Sequence, residues 1–155
     1  MKVPFLLIAL SILLISGCGE TARLAVSDVI QVRQVLHDDP LAASFEDREG
    51  AIVRCGDAAL TDALISFTYF KKGADTTKFD LWVVLNDRGS STWKTFARKS
   101  GRTAALLLDG KVLTIFPATP SIDKQAMKII IPAVATSQEE ADALQIRLDR
   151  KGGKK

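Results

Sequence analysis

Residues 103–116, TAALLLDGKVLTIF, set two apolar runs on either side of Asp109-Gly110. Asp-Gly between apolar runs is a strong hairpin signal, because the two-residue turn that matches strand twist needs positive φ at both positions. The first run, Thr103–Leu108, carries no polar residue after Thr103. It is therefore read as a strand buried on both faces, with Lys111–Phe116 as the return strand.

Around this hairpin the hydrophobic period predicts further strands and two helices. DVIQVRQVLH, 28–37, alternates as a strand, apolar on one face and mixed on the other. His37-Asp38-Asp39-Pro40 ends it, and 38–50 reads as a polar loop containing the acidic stretch 46–49. Ala51–Cys55 is a short strand with Gly56-Asp57 as a turn. Residues 60–70 are ambiguous between a helical turn and a strand; the alternation of Ile65, Phe67 and Tyr69 favours a strand from 64 to 71. KFDLWVVL, 78–85, is a clear strand that pairs with it across a loop of about six residues. Residues 86–91 are loop and cap chemistry, because Asp or Ser oxygens accept the free N–H groups of a first turn. The following helix buries Trp93, Phe96 and Ala97 at helical spacing and ends before Gly101, which can take the left-handed conformation of a helix exit. Pro117, Pro120 and Pro132 bracket a looser segment holding one more strand, Met127–Ile131. Ser137-Gln138-Glu139-Glu140 opens the last helix as a capping box, with Ala141, Leu144 and Leu148 on its inner face and Gly152-Gly153 at its end. Strands, helix, hairpin, strand and helix together make an α+β fold: a mostly antiparallel sheet covered on one face by two helices, ferredoxin-like in class.

The N-terminus is of another kind. Met1-Lys2 is a short positive segment, and VPFLLIALSILLIS is an apolar run of signal-peptide length, short for a transmembrane span. Ile15-Ser16-Gly17-Cys18 resembles the bacterial lipobox, in which a cysteine thiol takes diacylglycerol and the chain is cut before it. Gly17 and Cys18 are thus the expected cleavage pair and Cys18 the lipidation site. The competing reading is an uncleaved anchor with a buried cysteine. On the lipobox reading 1–17 is a leader, 18–27 a tether, 28–150 the folded domain and 151–155 a basic tail. The protein would sit in the bacterial cell envelope, bound to the membrane through acyl chains on Cys18 and facing the periplasm or cell exterior. More than one chain is needed for stable anchoring. Gly19 is not aspartate, the inner-membrane retention residue of such lipoproteins, so a host with two membranes would favour the outer one. The tail LDRKGGKK is a solvated end or a weak contact with anionic headgroups.

Composition excludes little but helps. The chain is 47% hydrophobic and 25% charged, which supports a core, and its net charge of +3 lacks a basic stripe with interleaved aromatics, so nucleic acid is not expected as a partner. With Cys18 lipidated, Cys55 has no disulfide partner and reads as a buried, inert thiol. The one histidine, His37, stands beside Asp38 and Asp39. That cluster could belong to a small hydrolase or metal binder, but a metal site needs three or more converging ligands, and Asp-Asp-Pro is turn chemistry. No HExxH, CxxC or Gly-x-Ser-x-Gly occurs. No catalytic residue, cofactor or metal is expected.

LNDRGSSTWKTFARKSGRTAALLLDGKV, 85–112, resembles the first periplasmic domain of the SecD/SecDF protein-export subunits, in its head subdomain. Leu85, Gly89, Phe96, Gly101, Arg102, Asp109, Gly110 and Val112 stand where that family has its strand-ending leucine, its glycine and aromatic-faced helix, its Gly-Arg, and its Asp-Gly and valine. VIQVRQVL is similar to the family's opening strand, AIVRCGDAALTDALI to its short strand with Leu-Thr-Asp-Ala, and TSQEEADALQIRL to its closing helix. The likeness spans 28–150. The chain departs from the family after the hairpin, where TIFPATP and SIDKQAMKIIIPAVATS contain no glycine between Gly110 and Gly152. The resemblance implies a SecD-like head, here detached from membrane helices, and partners among exported polypeptides or translocon components. Independently of it, sheet edges with Tyr69, Trp82 and Trp93 could receive an extended peptide. A structural or interaction lipoprotein with no export role is the other non-enzymatic reading.

Cys18→Ala should abolish incorporation of a palmitate analogue during growth, since no other residue offers the lipobox thiol. Labelling that persists in the variant would overturn the lipoprotein reading.

Overall fold

The computed structural model describes residues 30–99, 101–119 and 127–152. Gly17, Cys18, the leader, the tether and the residues from 153 onward lie outside them. The fold is α+β, and every strand pairing is antiparallel, as the pattern predicts.

The strands divide into two sheets. The larger has the order β2-β3-β1-β6-β7, built from β1 (Ile30–Val35), β2 (Ala43–Glu46), β3 (Ile52–Thr61), β6 (Thr103–Leu108) and β7 (Lys111–Pro117). The smaller has the order β4-β5-β8, from β4 (Ile65–Lys72), β5 (Phe79–Leu85) and β8 (Lys128–Ala135). Helices α1 (Asp87–Ala97) and α2 (Gln138–Gly152) complete the fold. The main core joins one face of each sheet: Val32, Leu60 and Leu106 meet Leu81, Val83 and Ile131, with Trp93 and Phe96 of α1 and Ala141 and Leu144 of α2 between them. A second core lies on the far face of the larger sheet, where Val35, Val53, Cys55, Ala105, Leu107 and Val112 pack beneath Phe45. Here β2 comes against β7, so the larger sheet curls over its own second face.

Thr103–Leu108 is buried on both faces, as read from its sequence. Asp109 (φ 49) and Gly110 (φ 79) form the two-residue turn with positive φ at both positions. The β4–β5 hairpin also has its expected connection, with Lys72 opposite Phe79. Gly101, with φ 76, makes the expected left-handed exit after α1.

Three elements differ from expectation. Gly56-Asp57 is no turn: β3 runs straight through it. Opposite β1 the register passes from Val35↔Cys55 to Arg33↔Ala58, so Gly56 and Asp57 together face Gln34 as a bulge, and Arg33 donates to the Gly56 carbonyl at 2.8 Å. Within the expected loop 38–50 lies β2, a short edge strand whose only large apolar residue is Phe45; its ladder with β3, not its own pattern, makes it a strand. Finally, β8 continues past Ile131 to Ala135. Pro132 is tolerated because β8 is an edge strand bulged at that point, with Ala133 at φ 54 and its N–H donating to Asp80 Oδ1 at 2.9 Å.

Helix α1 is capped one residue earlier than Asp or Ser chemistry suggests. Asn86 Oδ1 accepts from the Gly89 N–H at 2.9 Å, while its Nδ2 donates to the Ala63 carbonyl at 2.9 Å. An amide side chain can accept through its oxygen and donate through its nitrogen at once, which fixes the helix start to the 3-10 turn Asp62–Leu64. That turn approaches so closely that a Cβ on Gly89 would lie 2.1 Å from the Leu64 carbonyl oxygen. The α2 cap keeps half of its expected box: Ser137 Oγ accepts from Glu140 N–H at 3.1 Å. The Glu140 carboxylate reaches back one residue further than usual, to the Thr136 N–H at 2.8 Å and hydroxyl at 2.9 Å.

Gly89→Ala tests this approach. Helix propensity alone would favour alanine by about 1 kcal/mol. Because the clash is with backbone, the variant should instead lose about 1–3 kcal/mol in denaturant unfolding, and a stabilised variant would mean that α1 does not dock on the turn.

Candidate functional site

β2 pairs only with Ile52–Cys55, so on that side Gly56–Ala59 of β3 has no strand neighbour among the described residues. Beside this open stretch runs a groove of about 730 Å³, bounded by the β1–β2 connection at Leu41 and Ala42, by the β3 bulge, and by Phe96 of α1. Ala59 and Phe96 also floor a second hollow, walled by Ser91, Thr92, Thr95, Lys99 and Arg102, which continues the groove along α1. The hollow runs between a strand edge and a helix, with an apolar floor and a basic rim.

Each wall is held by identifiable contacts. Arg33 donates to Gln31 Oε1 at 2.7 Å and stacks over the Phe45 ring at 5.1 Å, besides bridging to Gly56. Arg102 lies over the Phe96 ring at 4.9 Å and donates to the Phe96 carbonyl, so it closes the C-terminal end of α1 as a cation should. Trp93, one turn back on α1, is fully buried and donates its indole N–H to the Thr119 carbonyl at 3.1 Å. The β2–β3 hairpin is clamped from its tip: Arg48 pairs with Glu140 at 2.6 Å and donates to the Val134 carbonyl, joining the larger sheet to α2 and β8. On the opposite side Arg147 of α2 pairs with Asp109 at the β6–β7 turn.

The sequence-predicted residues fall in different places. Cys55 lines the groove yet is buried; burial pushes its thiol up, with Arg33 opposing, so it stays protonated at neutral pH. His37 is exposed beside the turn, where Asp39 Oδ1 accepts from the Leu41 N–H at 2.9 Å. Among the described residues no three His, Cys, Asp or Glu side chains converge as metal ligands. Nor is any described helix long and apolar enough to cross a membrane. In the acidic stretch, Asp47 Oδ1 accepts from Glu49 and Ala51 N–H groups and shapes the β2–β3 turn. The three aromatic residues read as one interface are separated: Trp93 is core, while Tyr69 and Trp82 stand on the outer face of the smaller sheet. The open β3 edge is not legible, because Gly56-Asp57 imitates a turn; the three apolar residues Ala58–Leu60 beyond it are the available signal.

The fold is shared with solved SecDF structures. That of a membrane component SecDF that enhances protein export matches over 81% of this chain and 63% of its own, with 18% identity and a TM-score of 0.58. SecDF in its super-membrane-facing form matches over 81% of this chain and 19% of its own, with 19% identity and a TM-score of 0.62. This chain therefore spans about three-fifths of one and a fifth of the other. Neither a protein-family model nor a curated protein sequence matches it. The resemblance to SecD/SecDF read from the sequence is met in the fold.

Glu140 makes the clamp pH-dependent. Burial acts to raise its pKa, but the Thr136 N–H and hydroxyl and the Arg48 guanidinium together outweigh it and hold the carboxyl below its ordinary value. A carboxylate depressed in the folded state contributes stability above its unfolded pKa and loses it as pH falls through the folded one. Glu140→Gln should therefore lower the melting temperature at pH 7, with the difference from wild type shrinking toward pH 3. A constant difference across that range would show that the charge plays no part.

Proposed function

We propose that this protein is a lipid-anchored, non-enzymatic domain of the bacterial cell envelope that binds extended polypeptide, in connection with protein export. The observation that supports it best is the unpaired side of Gly56–Ala59 facing the groove. A strand edge offers N–H and C=O groups in a row, and an extended segment laid along it gains main-chain hydrogen bonds whatever its sequence. Helix α1 packs beside β3 and walls the groove, and Ala59 and Phe96 give alternate side chains an apolar floor. Such binding is tolerant of sequence, as handling chains in transit requires. The fold shared with a SecDF that enhances export agrees with this, and the partners in this reading are translocon components or exported chains. In this reading Cys18 carries the acyl chains, Gly17 precedes the cut, and the domain faces the periplasm or cell exterior.

Short fluorescein-labelled peptides of apolar, unstructured sequence are the probe, with anisotropy as the readout. Thr95 is exposed on the groove wall, so Thr95→Trp narrows the channel without touching the core. We expect saturable binding that Thr95→Trp weakens about tenfold, equivalent to about 1.4 kcal/mol of interface. Binding should persist in EDTA and in His37→Ala. Equal binding by wild type and Thr95→Trp would place the peptide elsewhere, and loss on chelation would favour a metal site around His37.

A further inference from the structure

The outer face of the smaller sheet is a second surface, remote in kind from the groove. Its registers set three cross-strand rows: Lys71 opposite Asp80; Tyr69, Trp82 and Ile130; and Phe67, Val84 and Lys128. The opposite face of β5 is the buried one, through Phe79, Leu81, Val83 and Leu85. Phe67 is 57% exposed and Ile130 47%. Tyr69 stacks between Phe67 and Trp82, with ring centroids 6.0 and 5.8 Å away. Lys71 Nζ sits 4.7 Å from the Trp82 centroid and 5.6 Å from that of Tyr69. Asp80, the acidic side chain in these rows, is held by the Ala133 N–H.

We propose that this face rests on a membrane surface bearing anionic headgroups. Two features select that occupant. The first is charge complementarity: Lys71 and Lys128 stand at opposite corners of an apolar and amphipathic centre, where their ammonium groups can reach phosphates while the rings enter the headgroup region. Tyr and Trp with flanking lysines suit that layer because their rings are apolar with one polar end. The second is reach. If Cys18 is the acyl anchor, as proposed above, the roughly twelve residues from it to Ile30 extend at most about 40 Å, so β1 is kept within about one domain diameter of the bilayer. A face that meets the same membrane would add a second, reversible contact to the acyl chains and turn the β3 groove to a defined height and direction.

The experiment uses the full acylated protein with vesicles of phosphatidylcholine and phosphatidylglycerol, some carrying brominated acyl chains. Trp93 is fully buried, so bromine quenching reports on Trp82. Flotation with the vesicles is scored separately and tests the anchor. We expect quenching that falls with added salt or with phosphatidylcholine alone, and that is absent in Trp82→Phe. Phe67→Ser and Lys71→Glu alter exposed side chains, and circular dichroism should show both folded. They should lower the quenched fraction, the first by about tenfold in partitioning and the second by about fivefold or more. Flotation without quenching would leave the anchor standing and overturn the proposal. Absence of both would overturn the two readings together. Shielding of Trp82 from aqueous iodide by a second copy, by peptide or by soluble glycan, with no quenching by brominated lipid, would give the face to that occupant and also overturn it.

Discussion

Leu106 and Leu107 are neighbours in the chain, and both are fully buried on opposite faces of β6. A strand in that position needs a covering layer on each side, and the rest of the molecule supplies the two layers differently. On one side the smaller sheet and both helices close over Val32, Leu60 and Leu106. On the other, among the described residues, the cover is the larger sheet itself, which curls until β2 meets β7, and Phe45 lies over Leu107's side. Each fully buried leucine contributes about 1.5–3 kcal/mol relative to exposure, so neither layer is dispensable for a domain of this size.

The layers are joined by a few polar contacts at their margins. Arg48 ties the β2–β3 hairpin to α2 and β8, and Arg147 ties α2 to the β6–β7 turn. These pairs are partly exposed, so each adds little stability by itself. Their effect is positional: α2 is held near its start through Glu140 and, two turns on, through Arg147. The groove depends on that arrangement less than on α1, which Asn86 and Gly89 dock on the Asp62–Leu64 turn and Trp93 ties to the Thr119 carbonyl.

Two surfaces emerge with different chemistry. One is a strand edge beside an open groove, suited to backbone recognition; the other is an open sheet face of aromatic rings with lysines at its corners. They lie on different sheets, so an occupant of one need not displace an occupant of the other. A domain turned by its membrane contact and open to an extended chain at its groove would combine both properties on one small scaffold.

The sequence by itself determined the elements whose signals are local. Asp109-Gly110 compels its turn through backbone sterics, the unbroken TAALLL run compels two-sided burial, and Ser137 with Glu140 starts α2. Period and capping act within a few residues, so they can be read there. Tertiary structure decided what depends on neighbours distant in the chain. Gly56-Asp57 has turn composition but becomes a bulge because β1 lies alongside, and Pro132 sits inside a strand because β8 has an edge to spare. The open side of β3 exists only because β2 stops at Ala43, and the ladder of Phe67, Tyr69 and Trp82 exists only through the β4–β5 register. Both surfaces are defined by which strand lies next to which, and pairing between strands is a long-range property that no short window of sequence contains.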